Sequence, residues 1–210
     1  MQMTRRFLLG ASGAVALPGL LRAQGNNPIR IGEINSYTAN PAFTIPYRNA
    51  MQMAVDGVNA KGGVLGRPLE LITRDDAGRP QDAVRLAGEL VNDVKVDVLA
   101  GAYLSNVGLA LSEFALQNKR LYVGGEPLTD AMVWEKGNRY TFRLRPSTYM
   151  QASILAEEAA ELPAKRWATV SPNYEFGQSG VKWFKQLLLA KRPDVTLSLI
   201  HISEPTRRRG

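Results

Sequence analysis

The sequence predicts an α/β fold, a parallel sheet flanked by helices, on three observations. Short runs of aliphatic and β-branched residues alternate with longer runs at helical spacing along most of the 210 residues, the order expected of strand–helix–strand units. The run Val96–Ala100 is almost unbroken in its apolar character, which suits a strand covered on both sides. A helical run closes at Lys61-Gly62-Gly63, where a glycine can take the left-handed cap.

The elements follow in order. Ile29–Ile34 reads as the first strand, and a long loop from Ser36 to Ile45 leads to a helix over Pro46–Ala60, with Ala50, Met53, Ala54 and Gly57 at helical spacing. Pro68 can enter the second strand, Leu69–Thr73, because it is not needed there as a donor. Pro80, a good first-turn residue, opens a helix to Val94 whose Ala83, Leu86, Ala87, Leu90 and Val91 share one face. Val96–Ala100 is the third strand, Asn106–Gln117 the third helix, Arg120–Val123 the fourth strand and Tyr140–Leu144 a further extended piece. Arg145-Pro146-Ser147 reads as a crossing between two units, since Pro146 biases Arg145 away from helix and Ser147 can cap the helix Thr148–Leu162. A second series then begins with strand Trp167–Ser171, helix Phe176–Lys191 and a strand starting at Val195.

The two ends read differently from the middle. Residues 1–23 match an export signal: Arg5-Arg6, an apolar stretch Phe7–Leu21 broken by Gly10, Gly13, Pro18 and Gly19, and a small residue, Ala23, before the expected cut. The paired arginines favour the twin-arginine route. The stretch falls short of the ~20 residues needed to span a bilayer, so the mature protein is expected in the periplasm without a membrane span. At the other end Leu197–Arg207 resembles a translated sequencing adapter, and residues 197–210 are read as an artefact without function. The only histidine, His201, falls inside it. Arg5, Arg6, Arg22, Arg207, Arg208, Arg209 and Glu204 all lie in these ends, and without them the formal charge drops from +7 to +2. Nothing between them calls for a nucleic-acid partner.

The segment Val58-Asn-Ala-Lys-Gly-Gly-Val-Leu-Gly-Arg-Pro-Leu-Glu-Leu71, with Arg74-Asp75-Asp76-Ala77, Pro80-Gln81-Asp82-Ala83-Val84 and Asn173-Tyr174-Glu175-Phe176-Gly177, resembles the branched-chain amino-acid (Leu/Ile/Val) type of periplasmic solute-binding protein. The resemblance implies a type I periplasmic-binding fold: two α/β lobes joined by three crossovers, closing on a small-molecule solute and delivering it to an inner-membrane ABC permease. It implies no cofactor. Residues 24–145 would be the first lobe and 146–196 the start of the second.

Ligands of open α/β sheets bind at the carboxyl ends of the strands. Gly101–Asn106 occupies such a place, and the helix beginning there offers unpaired N–H donors, with Ser105 and Asn106 as short polar side chains. The family places a ligand-contacting serine in this loop; the alternative is that Ser105 caps its own helix. Gly124–Thr129 should face the same cleft, and Glu126 there would repel a carboxylate but attract an amine or accept from an amide, or else pair with a neighbouring arginine. In the second lobe, the resemblance implies an aromatic contact from Tyr174 or Phe176; packing within the lobe is the alternative. Tyr37 and Phe43, in the loop after the first strand, could add further lining. Asp75-Asp76 reads as a solvated pair, one of which could cap the following helix.

No catalytic residue and no metal site is expected. With no cysteine, and with His201 set aside, neither a Ser-His-Asp nor a Cys-His arrangement can be assembled, and the usual zinc ligands are lacking. Gly177-Gln178-Ser179-Gly180 misses the nucleophile-elbow spacing. A ligand-sensing receptor module of the same fold is the alternative to a transporter component, and a hydrolase or amidase ranks third.

Overall fold

The computed structural model describes residues 27–202, and Ile200–Ile202 by their backbone alone. The expected leader, 1–23, and residues 203–210 lie outside the described residues. Among the described residues, seven strands and five α-helices follow one another as β1 (Ile29–Asn35), α1 (Pro41–Ala60), β2 (Leu69–Asp75), α2 (Pro80–Asn92), β3 (Val98–Gly101), α3 (Ser105–Asn118), β4 (Leu121–Gly124), β5 (Thr141–Arg143), α4 (Thr148–Glu161), β6 (Arg166–Pro172), α5 (Glu175–Lys191) and β7 (Thr196–Ile202). A short 3-10 helix, Asp130–Met132, sits between β4 and β5; its three residues carry too little periodicity to be foreseen.

The first five strands form one parallel sheet in the order β2-β1-β3-β4-β5. β1 is an interior strand, next to the β2 edge: Ile31 pairs with Leu71 on one side and Val98 on the other. The core lies between this sheet and the helices, with Ile34, Leu90, Leu99, Leu111, Tyr122 and Met132 fully buried. The apolar face of α2 supplies Ala83, Leu86, Ala87, Leu90 and Val91, as its spacing predicted. β6 and β7 make a separate parallel pair over a smaller core of Ala159, Leu188 and Val195, with Trp167 and Phe184 against it.

The first helix is longer than the sequence predicted. It starts at Pro41, not Pro46, so the expected ten-residue loop shrinks to a turn. Pro41 takes the first helical position, where its missing N–H has no intrahelical partner to lose. Pro46 stands inside the helix and forgoes one hydrogen bond. Thr44 Oγ1 donates back to the Asn40 carbonyl at 3.0 Å, which fastens this turn. Ser147 caps α4 as expected, its Oγ accepting from Met150 N at 3.2 Å. β7 pairs in register with β6, Trp167 opposite Leu197 and Thr169 opposite Leu199. The adapter-like run alternates as a strand does, and that alternation suffices for pairing.

Candidate functional site

The carboxyl ends of β1, β3 and β4 open on one mouth. Gly101 ends β3 at φ +104, and a Cβ there would lie 2.4 Å from the Ile34 carbonyl oxygen and 2.9 Å from Glu33 Oε1, so only glycine fits. Its carbonyl accepts from Gly125 N at 3.0 Å, and Ala102 N donates to Ile34 O at 2.7 Å. These bonds lock the three strand ends together.

Ser105 is the first residue of α3, and the N-cap is Leu104, which has no side chain to cap with. Ser105 Oγ, buried, accepts from Leu128 N at 3.2 Å and Thr129 N at 3.3 Å. It therefore clamps the β4 loop to the helix start instead of capping α3, and neither bond uses its own proton. Asn106, beside it, is half-buried, with Oδ1 enclosed and unpartnered. Glu126 Oε1 stands 3.7 Å from Arg145, the arginine pairing foreseen as one option, while Oε2 is buried and accepts nothing. Burial pushes the Glu126 carboxyl up and Arg145 opposes the shift. Phe43 and Tyr103 stack at the rim, 5.2 Å between centroids and 17° between planes. Tyr47 closes on the backbone of Gly125, where a Cβ would meet its Oη at 2.2 Å.

Tyr37 lies beneath this mouth. It is buried, its hydroxyl donates to Glu33 Oε2, and Arg48 rests 5.1 Å over its ring. Glu33 is itself fully buried on β1, and burial raises its pKa to about 7 against the hydrogen bond from Tyr37. Asp76 corrects the solvated reading of Asp75-Asp76: it is fully buried and accepts from Ser36 Oγ at 2.6 Å and Gly78 N at 2.7 Å. Neither aspartate caps α2, whose N-cap is Arg79 with no side-chain bond.

The second wall begins at α5, with Tyr174 as its N-cap residue. Glu175 Oε1 accepts from Thr129 Oγ1 at 2.6 Å, joining α5 to the β4 loop. One turn on, Ser179 Oγ and Trp183 Nε1 donate to Asp130 at 2.8 and 2.7 Å, and Thr148 Oγ1 donates to the same carboxylate. Burial pushes Asp130 up, but these three bonds outweigh it and hold the carboxyl below its usual range. Phe176 lines an apolar hollow of about 560 Å³ between α4, β6 and α5, with Leu155, Val170 and Phe184. Its ring lies 6.1 Å from that of Tyr174.

Ser105, Asn106 and Glu126 thus share one mouth, Tyr37 lies below it, Tyr174 opens the facing helix and Phe176 turns into the hollow of the second lobe. Sequence reasoning did not single out Glu33, Tyr47 or Tyr103. Glu33 carried a weak signal, the one acid in a strand built on three isoleucines; the two tyrosines carried none. The mouth offers acceptors, aromatic faces and the free N–H groups of a helix start, which can hold a polar solute. Among the described residues no group of three or more His, Cys, Asp or Glu side chains is placed to hold a metal, and no helix is long and apolar enough to cross a membrane.

Comparison with known proteins shows the family and agrees with the fold. The family described as "Periplasmic binding protein" matches residues 28–199. The Leu/Ile/Val-binding protein BraC3 of Rhizobium johnstonii is 30% identical over 150 residues, covering 71% of this chain and 40% of that protein. A chemotactic signal transduction substrate-binding protein, BasB of Halobacterium salinarum, is 27% identical over 119 residues, covering 55% of this chain and 29% of that protein. The solute-binding protein of an ABC transporter from Rhodopseudomonas palustris BisB5, solved with 3,4-dihydroxybenzoic acid, superposes with a TM-score of 0.75 at 24% identity, over 85% of this chain and 47% of that one. The chain spans less than half the length of these relatives.

Proposed function

Because this chain belongs to the periplasmic binding protein family, we propose that the full-length gene product binds one small polar solute, an amino acid, amide or related compound, between two lobes and delivers it to an inner-membrane ABC permease. The observation that carries this reading is the mouth itself: Ser105, Asn106 and Glu126 gather at the strand ends, opposite the helix that Tyr174 opens. Residues 24–145 form the first lobe and 146–196 begin the second. Closure favours the bound state because only then do both walls touch the solute. No bond is made or broken in this cycle, so the protein is not an enzyme.

Export belongs to the same proposal: the twin-arginine leader directs the protein to the periplasm, and N-terminal sequencing of the periplasmic form should begin at Gln24. A form still carrying residues 1–23 would contradict it. A sensing role is the second reading, favoured by the likeness to BasB. The function itself is tested by thermal denaturation of the full-length product against amino acids, amides and aromatic acids. At least one compound at about 100 times its Kd should raise stability by about 2.7 kcal/mol, and an unmoved Tm across the panel would refute solute binding.

A further inference from the structure

Thr129 is a crossing point of hydrogen bonds. It is fully buried beside the 3-10 helix, where its N–H donates to Ser105 Oγ at 3.3 Å and its carbonyl accepts from Arg143 Nη1 at 2.8 Å. Ser105 begins α3 and Arg143 ends β5, so two elements of the first sheet fix its backbone. The side chain reaches the second wall: Oγ1 donates to Glu175 Oε1 at 2.6 Å and accepts from Ala131 N at 3.3 Å. A hydroxyl has one proton, and this one is spent on Glu175, which leaves Thr129 none to give a solute.

Glu175 is the first residue of α5 and the neighbour of Tyr174, whose carbonyl accepts from Gln178 N at 3.0 Å. Holding the Glu175 side chain therefore holds the helix start on which Tyr174 stands. Farther along the same face of α5, Ser179 and Trp183 donate to Asp130, and Trp183 packs on Trp134 and Tyr149. The two ends of this seam are unequal. The Asp130 end has its carboxylate fastened by several donors and closed in by rings. The Thr129 end rests on the bond to Glu175, beside a polar hollow of about 230 Å³ that Glu175 lines with Gln178 and Lys182. Water in that hollow can replace the Thr129 hydroxyl, so the start of α5 can come free while its later turns stay fastened.

Ser105 links this bond to the mouth. Its own proton is used by neither of the amides it accepts from, so a solute oxygen can take it, and a hydroxyl that donates becomes a stronger acceptor for the Thr129 N–H.

We infer that Thr129 is a positioning residue for the solute site: anchored to the mouth by Ser105 and Arg143, it holds Glu175 and so sets Tyr174 opposite the mouth, without touching the solute. The inference rests on the solute-binding reading above and adds how the second wall is set.

The full-length gene product is compared with its Thr129→Val, Thr129→Ser and Glu175→Leu variants. In hydrogen exchange without solute, Thr129→Val should speed the Gln178 amide by about tenfold, the worth of one hydrogen bond to a carboxylate, and leave Arg192 N, at the far end of α5, unchanged. Thr129→Ser keeps the hydroxyl and should exchange as the wild type does. An unchanged Gln178 rate in Thr129→Val would overturn the inference. Calorimetric titration with leucine, benzoate and benzamide, and with any further compound of the panel that stabilises the wild type, reads the solute side. Losing a wall that is merely positioned lowers the population competent to bind, so Thr129→Val should weaken every bound solute by one common factor, about tenfold, and Thr129→Ser should restore it. Glu175→Leu should match Thr129→Val, and the double variant should bind no more weakly than either. Factors that differ from solute to solute, or losses that multiply in the double variant, would overturn the inference and leave solute binding standing. Silence from every compound would take both down.

Discussion

Glu33 is a buried acid beneath the mouth whose titration is set by the fold. Its carboxyl is fully buried under Gly101 and receives the Tyr37 hydroxyl, and burial raises its pKa from 4.5 to about 7. Between those values the folded protein holds a proton that the unfolded chain has released. The stability from this group is therefore complete below about pH 4.5 and is lost as the pH rises through about 7. Glu33→Gln mimics the protonated acid and should abolish that loss. In denaturant titrations, the wild type should lose up to about 3 kcal/mol more than the variant between about pH 5 and 8, and parallel curves would show that Glu33 does not titrate there. The sequence exposed part of this. The place of Ser105, Asn106 and Glu126 at the strand ends was legible from the order of the elements, but the burial of Glu33 and Asp76 was not, since an acid's burial depends on which distant residues cover it. Tyr47 reaches Gly125 from a helix 78 positions earlier in the chain, and no local pattern records such a contact.

Elements were read more securely than side chains. The strands and helices of the sequence reading all occur, most within one or two residues of their predicted ends, because apolar periodicity is a local property. The start of α1 was the exception. Pro46 looked like a first-turn proline, but Pro41 already held that position, and the chain tolerates a second proline where only one hydrogen bond is forgone. What periodicity could not show is how α5 is fastened. Asp130 gathers Thr148 from α4 with Ser179 and Trp183 from α5, three donors from two helices on one carboxylate. Asp130→Ala removes the shared acceptor, leaving the Thr148 and Ser179 hydroxyls only each other and Trp183 Nε1 without its carboxylate, and should cost about 1 to 3 kcal/mol, with a red shift of tryptophan emission as Trp183 loosens from Trp134 and Tyr149. Unchanged stability and emission would mean that ring packing alone seats α5.

At the scale of the molecule, the two sheets differ in completeness of cover. The five-stranded sheet encloses a continuous core, whereas beside β6 the side chains of Ile154, Leu155 and Val170 are each at least 60% exposed. The proposed site lies at the junction of the two, where Thr129 meets Glu175 and Asp130 meets Ser179. If that is the site, one solute must touch both walls, and damage to each wall must be felt in the same equilibrium. Ser105→Ala and Tyr174→Ala should each weaken binding by about 1 to 3 kcal/mol, roughly five- to 150-fold in affinity. Isothermal titration of the full-length gene product and its Ser105→Ala, Tyr174→Ala double variant, with the tightest compound of the panel, tests this most directly. One site per protein and an affinity reduced by both changes is the predicted result; wild-type affinity in the double variant would contradict the placement of the solute between the lobes.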